Sequence, residues 1–184
     1  SNTVGLYNTA VGEGALYTNV DGSNSVAVGR LALYTQDPAT ATDMYNTAVG
    51  YGAGQAITTG YDHTLVGSLA GDAITTAYEN VALGKNALGA DTLGSRSTAL
   101  GRGALLVQNF TTATETWSVA VGNFTGGALT VGLKNVLVGS LAGDALTDAD
   151  FNVAMGHGAL SGDTLGSRST AIGYSALAVQ NLTT

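Results

Sequence analysis

Two histidines, His63 and His157, and thirteen scattered Asp and Glu residues are the side chains that catalysis or metal binding would have to use. A general base or a zinc site needs several such groups brought together. The histidines occupy different places in the chain's pattern: His63 precedes Thr64-Leu-Val-Gly67, whereas His157 directly follows Gly156. Neither belongs to a histidine-rich spacing, and both are expected at surface or turn positions. The carboxylates come singly, in neither an EF-hand loop nor a calcium-binding nonapeptide. With no cysteine, disulfides and thiolate metal sites are excluded. Asp72 and Asp144 lie in identical segments and read as solvated turn residues. Asp91 with Arg96, and Asp163 with Arg168, read as surface pairs worth under about 1 kcal/mol each. Gly50-Tyr-Gly-Ala-Gly54 is glycine-rich but lacks the strand–glycine–helix context of a dinucleotide site, and no Walker lysine accompanies it. No catalytic, cofactor-binding or metal-binding residue is assigned, and the chain reads as a non-enzyme without a cofactor.

The aromatics remain as recognition groups. Tyr45 and Trp117 stand at equivalent ends of two long variable stretches, with Tyr34 and Phe110 inside them. Such rings combine apolar area with a polar tip, which suits glycan stacking. All four are weak candidate ligand contacts. The competing reading is that each ring clamps its loop onto the body of the protein.

What must position these residues is a repeat. A glycine preceded by Thr or Val, then Ala or Leu, then Val, Leu, Ile or Met recurs at Gly12, Gly29, Gly50, Gly67, Gly84, Gly101, Gly122, Gly139, Gly156 and Gly173. Three residues after the glycine comes Ala (Thr125 once), then Leu or Gly. Beta-branched and apolar residues ended by glycine make a short strand and a turn, the glycine allowing a positive φ or a close backbone approach. Side chains alternate across a strand. The bulky outer pair, such as Val26 and Val28, is therefore expected to face the core, and Ala27 the other side. A second strand is expected at Gly-x-x-Ala-Leu, as in Gly12–Leu16 and Gly101–Leu105. The remainder of each unit is rich in Thr, Asp, Gly and Asn and reads as an outer loop.

The glycines are 17, 21, 17, 17, 17, 21, 17, 17 and 17 residues apart, so residues 29–100 and 101–172 are two 72-residue blocks. Val66–Ala73 returns verbatim at Val138–Ala145. The four extra residues of the long units fall in Tyr34–Tyr45 and Leu106–Trp117, and Pro38, the one proline, sits in the first. A constant spacing suits one turn of a parallel β-coil, and stacked copies bury a face that one copy cannot. Composition agrees: 45% hydrophobic residues, only 7% aromatic and 10% charged, favour a thin solenoid over a globular core or disorder. A net charge of −7 without a basic cluster disfavours nucleic acid and anionic membrane as partners. The final residues, Ala176–Thr184, restart the pattern of Ala104–Thr112. The expectation is one repeat segment over 1–184, part of a longer fibre chain.

Asn24-Ser-Val-Ala-Val-Gly29, two free positions and Ala32 resemble the head repeat of trimeric autotransporter adhesins of the YadA type. Asn8–Gly12 and Asn46–Gly50, spelled Asn-Thr-Ala-Val-Gly, also resemble repeats of phage tail-fibre proteins. The resemblance spans nearly the whole chain. It implies a left-handed parallel β-roll solenoid of about ten coils of 17 or 21 residues, three chains sharing one shaft. It implies an extracellular structural or adhesive fibre segment, on a cell surface or, alternatively, as a tail-fibre shaft on a virion. The partners would be copies of the chain itself and a host surface or glycan. The longer coils here mean larger outer loops than that family's. Two rival solenoids fit less well. A hexapeptide-type acyltransferase needs an apolar residue every six positions, but Val49 is followed six later by Gln55. An ice-binding face needs unbroken threonine rows, which Val26, Val81, Val119, Val136 and Val153 interrupt.

Overall fold

A computed structural model describes residues 4–182 and shows an all-β solenoid of about ten turns. The motif strands Thr9–Val11, Val26–Val28, Thr47–Val49, Thr64–Val66, Val81–Leu83, Thr98–Leu100, Val119–Val121, Val136–Val138, Val153–Met155 and Thr170–Ile172 form one parallel ten-stranded sheet in chain order. Register follows the motif: Thr9 pairs Val26, Ala27 pairs Ala48 and Val138 pairs Met155. Each long coil adds a two-residue strand against the coil before it, Thr42–Asp43 on Gly22–Ser23 and Thr114–Glu115 on Gly94–Ser95. The extra residues thus form a ledge tied to the preceding turn. Among the described residues there is no helix.

The motif glycine is fixed by its neighbour above. At Gly84 φ is +134°, and a Cβ there would lie 2.5 Å from the carbonyl oxygen of Gly101. Only glycine lets successive backbones stack at the corner where the sheet ends.

The Gly-x-x-Ala-Leu segment is not the strand expected from its apolar pattern. In every coil the residues two and four after the glycine have positive φ, for example Leu31 (61°) and Leu33 (48°). Turn hydrogen bonds close on either side, from the Ala32 amide to the Gly29 carbonyl and from the Gln36 amide to the Leu33 carbonyl. A third left-handed corner falls five residues before the glycine, at Tyr45, Glu79, Arg96 and Trp117 among others. A non-glycine residue pays roughly 1–2 kcal/mol for that conformation. Here an adjacent coil holds the corners: the Leu31 amide donates to the Glu13 carbonyl, and the Arg96 amide to the Tyr78 carbonyl.

The strand faces are the reverse of the expectation. Ala27, Ala48, Leu65, Ala82, Ala99, Ala120, Leu137 and Ala154 are fully buried, whereas Val49, Leu83, Met155 and Ile172 are exposed. The coil is narrow, so the strand contributes one small inward side chain per turn. Interior volume is filled from the turns by Leu33, Leu88, Leu105 and Leu160. Hydrophobicity marked both faces as apolar; the width of the coil decided which was inside.

The interior also changes in character along the axis. Where the fourth residue after the motif glycine is Leu, the seventh is polar: Asn19, Gln36, Asp91, Gln108 and Asp163, all fully buried, and Gln180 near the end. Where the fourth is Gly, the seventh is Ile57, Ile74, Leu129 or Leu146, also fully buried. A Cβ on Gly54 would meet Ile57 and Leu65 at 2.9 Å, so the two solutions exclude each other within a coil.

Candidate functional site

The side chains best placed for chemistry in the sequence are placed for structure in the fold. His63 is not at the surface; it is 1% exposed and stands in a column with Asn8, Asn46, Asn80, Asn135 and Asn152, four residues before each motif glycine. Each asparagine of this ladder accepts from the backbone amide of the next coil and donates to a carbonyl: Asn46 Oδ1 accepts from His63 N, and Asn46 Nδ2 donates to Gly60 O. His63 reproduces both contacts, with Nδ1 accepting from Asn80 N at 3.2 Å and Nε2 facing Ala77 O at 2.9 Å. That assignment needs the neutral Nε2–H tautomer. Burial holds its pKa down, to about 4, although the Ala77 carbonyl pulls the other way. A neutral, fully engaged imidazole has no lone pair free for a metal or a substrate proton. His157 is exposed and stacks on Tyr174, the ring centroids 5.5 Å apart.

The expected ion pairs Asp91–Arg96 and Asp163–Arg168 do not form. Asp91 is buried, accepting from Gln108 Nε2 at 2.7 Å and from the Gly94 amide at 2.9 Å. Burial raises its pKa despite these donors. Asp163 repeats the arrangement with Gln180 and Gly166. Arg96 instead pairs with Glu79 at 3.0 Å and Glu115 at 2.5 Å, and Arg168 lies over Phe151. Asp72 and Asp144 are half-buried rather than solvated, and burial raises both pKa values. Among the described residues no group of three His, Asp or Glu side chains could hold a metal ion.

The four aromatic candidates do not converge. Phe110 is buried under its loop, and Tyr34 stacks on Tyr17 at 5.1 Å in the neighbouring coil. Tyr45 is exposed, its hydroxyl donating to Asp43. Trp117 is half-exposed beneath the Arg96 guanidinium, 4.7 Å from the ring. Arg96 also lies over Tyr78, so Trp117 and Glu115 fasten the second long loop to the coils before it. Tyr45 and Trp117 are four coils apart, about 19 Å along the axis.

The largest candidate surface is the outer side of the sheet. Two columns run its full length: Val11, Val28, Val49, Val66, Leu83, Leu100, Val121, Val138, Met155 and Ile172 in one, Thr and Val in the other. Over ten strands this strip covers on the order of 300 Å², comparable with the largest apolar patch of an ordinary monomer. Parallel sheets are ordinarily covered on both faces. Two structural columns escaped the sequence reading although their residues recur visibly. One is the asparagine ladder. The other is Thr58, Thr75, Thr92, Thr130, Thr147 and Thr164, eight residues after the glycine, whose hydroxyls reach the next coil.

The geometry defines the class of protein, a parallel β-solenoid built from a 17-residue unit. No protein-family model matches the chain, and no curated protein or solved structure is significantly similar to it.

Proposed function

We propose that the chain is a segment of an extended extracellular fibre, a structural and adhesive shaft or head on a cell surface or, in the second reading, a phage tail-fibre shaft. The observation carrying this is the uninterrupted sheet: ten parallel rungs in motif register, the spacing of the coils repeating after 72 residues. Inserting such a block lengthens the shaft by about 19 Å without redesign. The resemblance to adhesin head repeats and tail-fibre repeats supports the same reading. His63, Asp91 and Asp163 are engaged in the ladder and the buried Asp–Gln pairs, which fits a fibre that works by display.

The partner of the outer sheet face is further copies of this chain, in a homotrimer. Copies share one rise per coil, so every Val, Leu or Met rung meets a matching rung, and a closed ring leaves no strip exposed. The interface is the valine-bearing face, not the alanine-bearing one. Ala27→Glu would place a charge inside the coil and unfold it. Leu83→Glu and Val49→Glu instead change exposed residues and should yield a folded, monomeric chain by sedimentation and circular dichroism. A wild-type chain that is a folded monomer at micromolar concentration would overturn the trimer. Electron microscopy of the native assembly should show rods, this segment contributing about 45–50 Å of length; a compact globular particle would overturn the fibre.

A further inference from the structure

The residue directly after the motif glycine forms an outer column, and one pair in it is electrostatically out of balance. Lys85 and Arg102 sit on adjacent coils, where like charges oppose each other at close range. Among the described residues neither has a carboxylate within ion-pair distance. The same two positions one block earlier hold Glu13 and Arg30, an ion pair at 3.0 Å, and one block later His157 and Tyr174, a ring stack. Two of the three copies satisfy themselves. The middle one does not.

That middle pair lines a cavity of about 170 Å³ with Asn86, Gly103, Leu106 and Phe124. Arg102 is held over the Phe124 ring at 4.8 Å, and Phe124 lies against Gly103, where a Cβ would come within 2.7 Å of the ring. The cavity thus presents two cations and two apolar walls in a chain of net charge −7.

We infer that this cavity binds an acidic saccharide, deepening and resting on the adhesive-fibre reading. A carboxylate or sulfate bridges Lys85 and Arg102, and the apolar face of the sugar lies against Leu106 and Phe124. The volume is below that of a drug-sized site, so one acidic sugar residue of a longer chain occupies it.

The test is interferometry of the assembled protein on immobilised polygalacturonate, dextran sulfate and neutral dextran, with salt raised from about 0.1 M to about 0.5 M. At least one acidic polymer should bind and weaken with salt, and dextran should not; which polymer binds identifies carboxylate or sulfate. Lys85→Glu recreates the Glu13–Arg30 arrangement, so it should keep the melting temperature and lose about tenfold or more in affinity. Should that variant melt early, the pair K85H/R102Y, copied from His157 and Tyr174, serves in its place. Binding of neither acidic polymer, equal binding of dextran, or affinity unchanged in the folded variants overturns the site. Microscopy decides the fibre reading independently of each of these results.

Discussion

Seven residues after the motif glycine, one backbone supports two unlike interiors. In the coils of Asp91 and Gln108 the position is polar, and the amide of Gln108 donates to Asp91 Oδ2 and to Ser97 Oγ. In the coils of Ile57 and Ile74 it is aliphatic, with Gly54 and Gly71 making room. Strand register, motif glycines and left-handed corners are the same in both. Fold is therefore set by the stacking of backbones and by the ladder, and the filling of each coil is interchangeable if it is self-consistent. A carboxylate is tolerated where a glutamine on the next coil meets it. The polar filling further depends on the ladder: serine stands at the ladder position in the coils of Gln36 and Gln108, leaving space for the longer amide.

The strongest way to break this comparison is to move one polar residue without its partners. Ile74→Asp places a carboxyl beside Leu65, with Ile57 and the buried Asp91, and no glutamine, at the same position of the two adjacent coils. It should cost about 4 kcal/mol or more at neutral pH, read as a collapse of the urea midpoint. A variant as stable as wild type would show that the aliphatic layer is not dry.

The next effect is confined to the one titratable rung of the ladder. His63 has a folded pKa of about 4 against an ordinary 6.5, so the unfolded chain takes up its proton first as pH falls. The stability present above pH 6.5 should be lost progressively between 6.5 and 4, by about 3 kcal/mol at about 1.4 kcal/mol per unit. His63→Asn supplies the same acceptor and donor as Asn46 and Asn80, and urea unfolding at several pH values should show that part of the acid sensitivity removed. An unchanged pH profile in this variant would place the sensitivity elsewhere.

The smallest effect sharpens the comparison between the two long coils. Asn46 Nδ2 donates to Gln36 Oε1 at 2.9 Å, but the matching rung one block on is Ser118, and Gln108 Oε1 is buried without a partner. Ser118→Asn should restore the missing bond and raise stability by about 1 kcal/mol, seen as a rise in Tm. No rise would mean that Gln108 Oε1 is already satisfied by water.

The repeat and its 17- and 21-residue spacing were legible in the sequence because they depend on local chemistry. A glycine at a fixed interval after a beta-branched run specifies strand and corner by itself, and equal intervals specify parallel stacking. Block duplication was equally plain. The direction of the strand faces was not, because Val26 and Ala27 are both apolar and only the narrowness of the closed coil admits Ala27 alone. Nor was the role of His63 or Asp91. Their partners Ala77, Asn80 and Gln108 lie 14 to 17 residues away, on the next coil. Gly-x-x-Ala-Leu has the composition of a strand, and the hydrogen bonds of neighbouring coils hold it in left-handed corners instead. Sequence determined the unit and its period; the closing of each coil onto the next decided what is inside, what is neutral and which face is left outside.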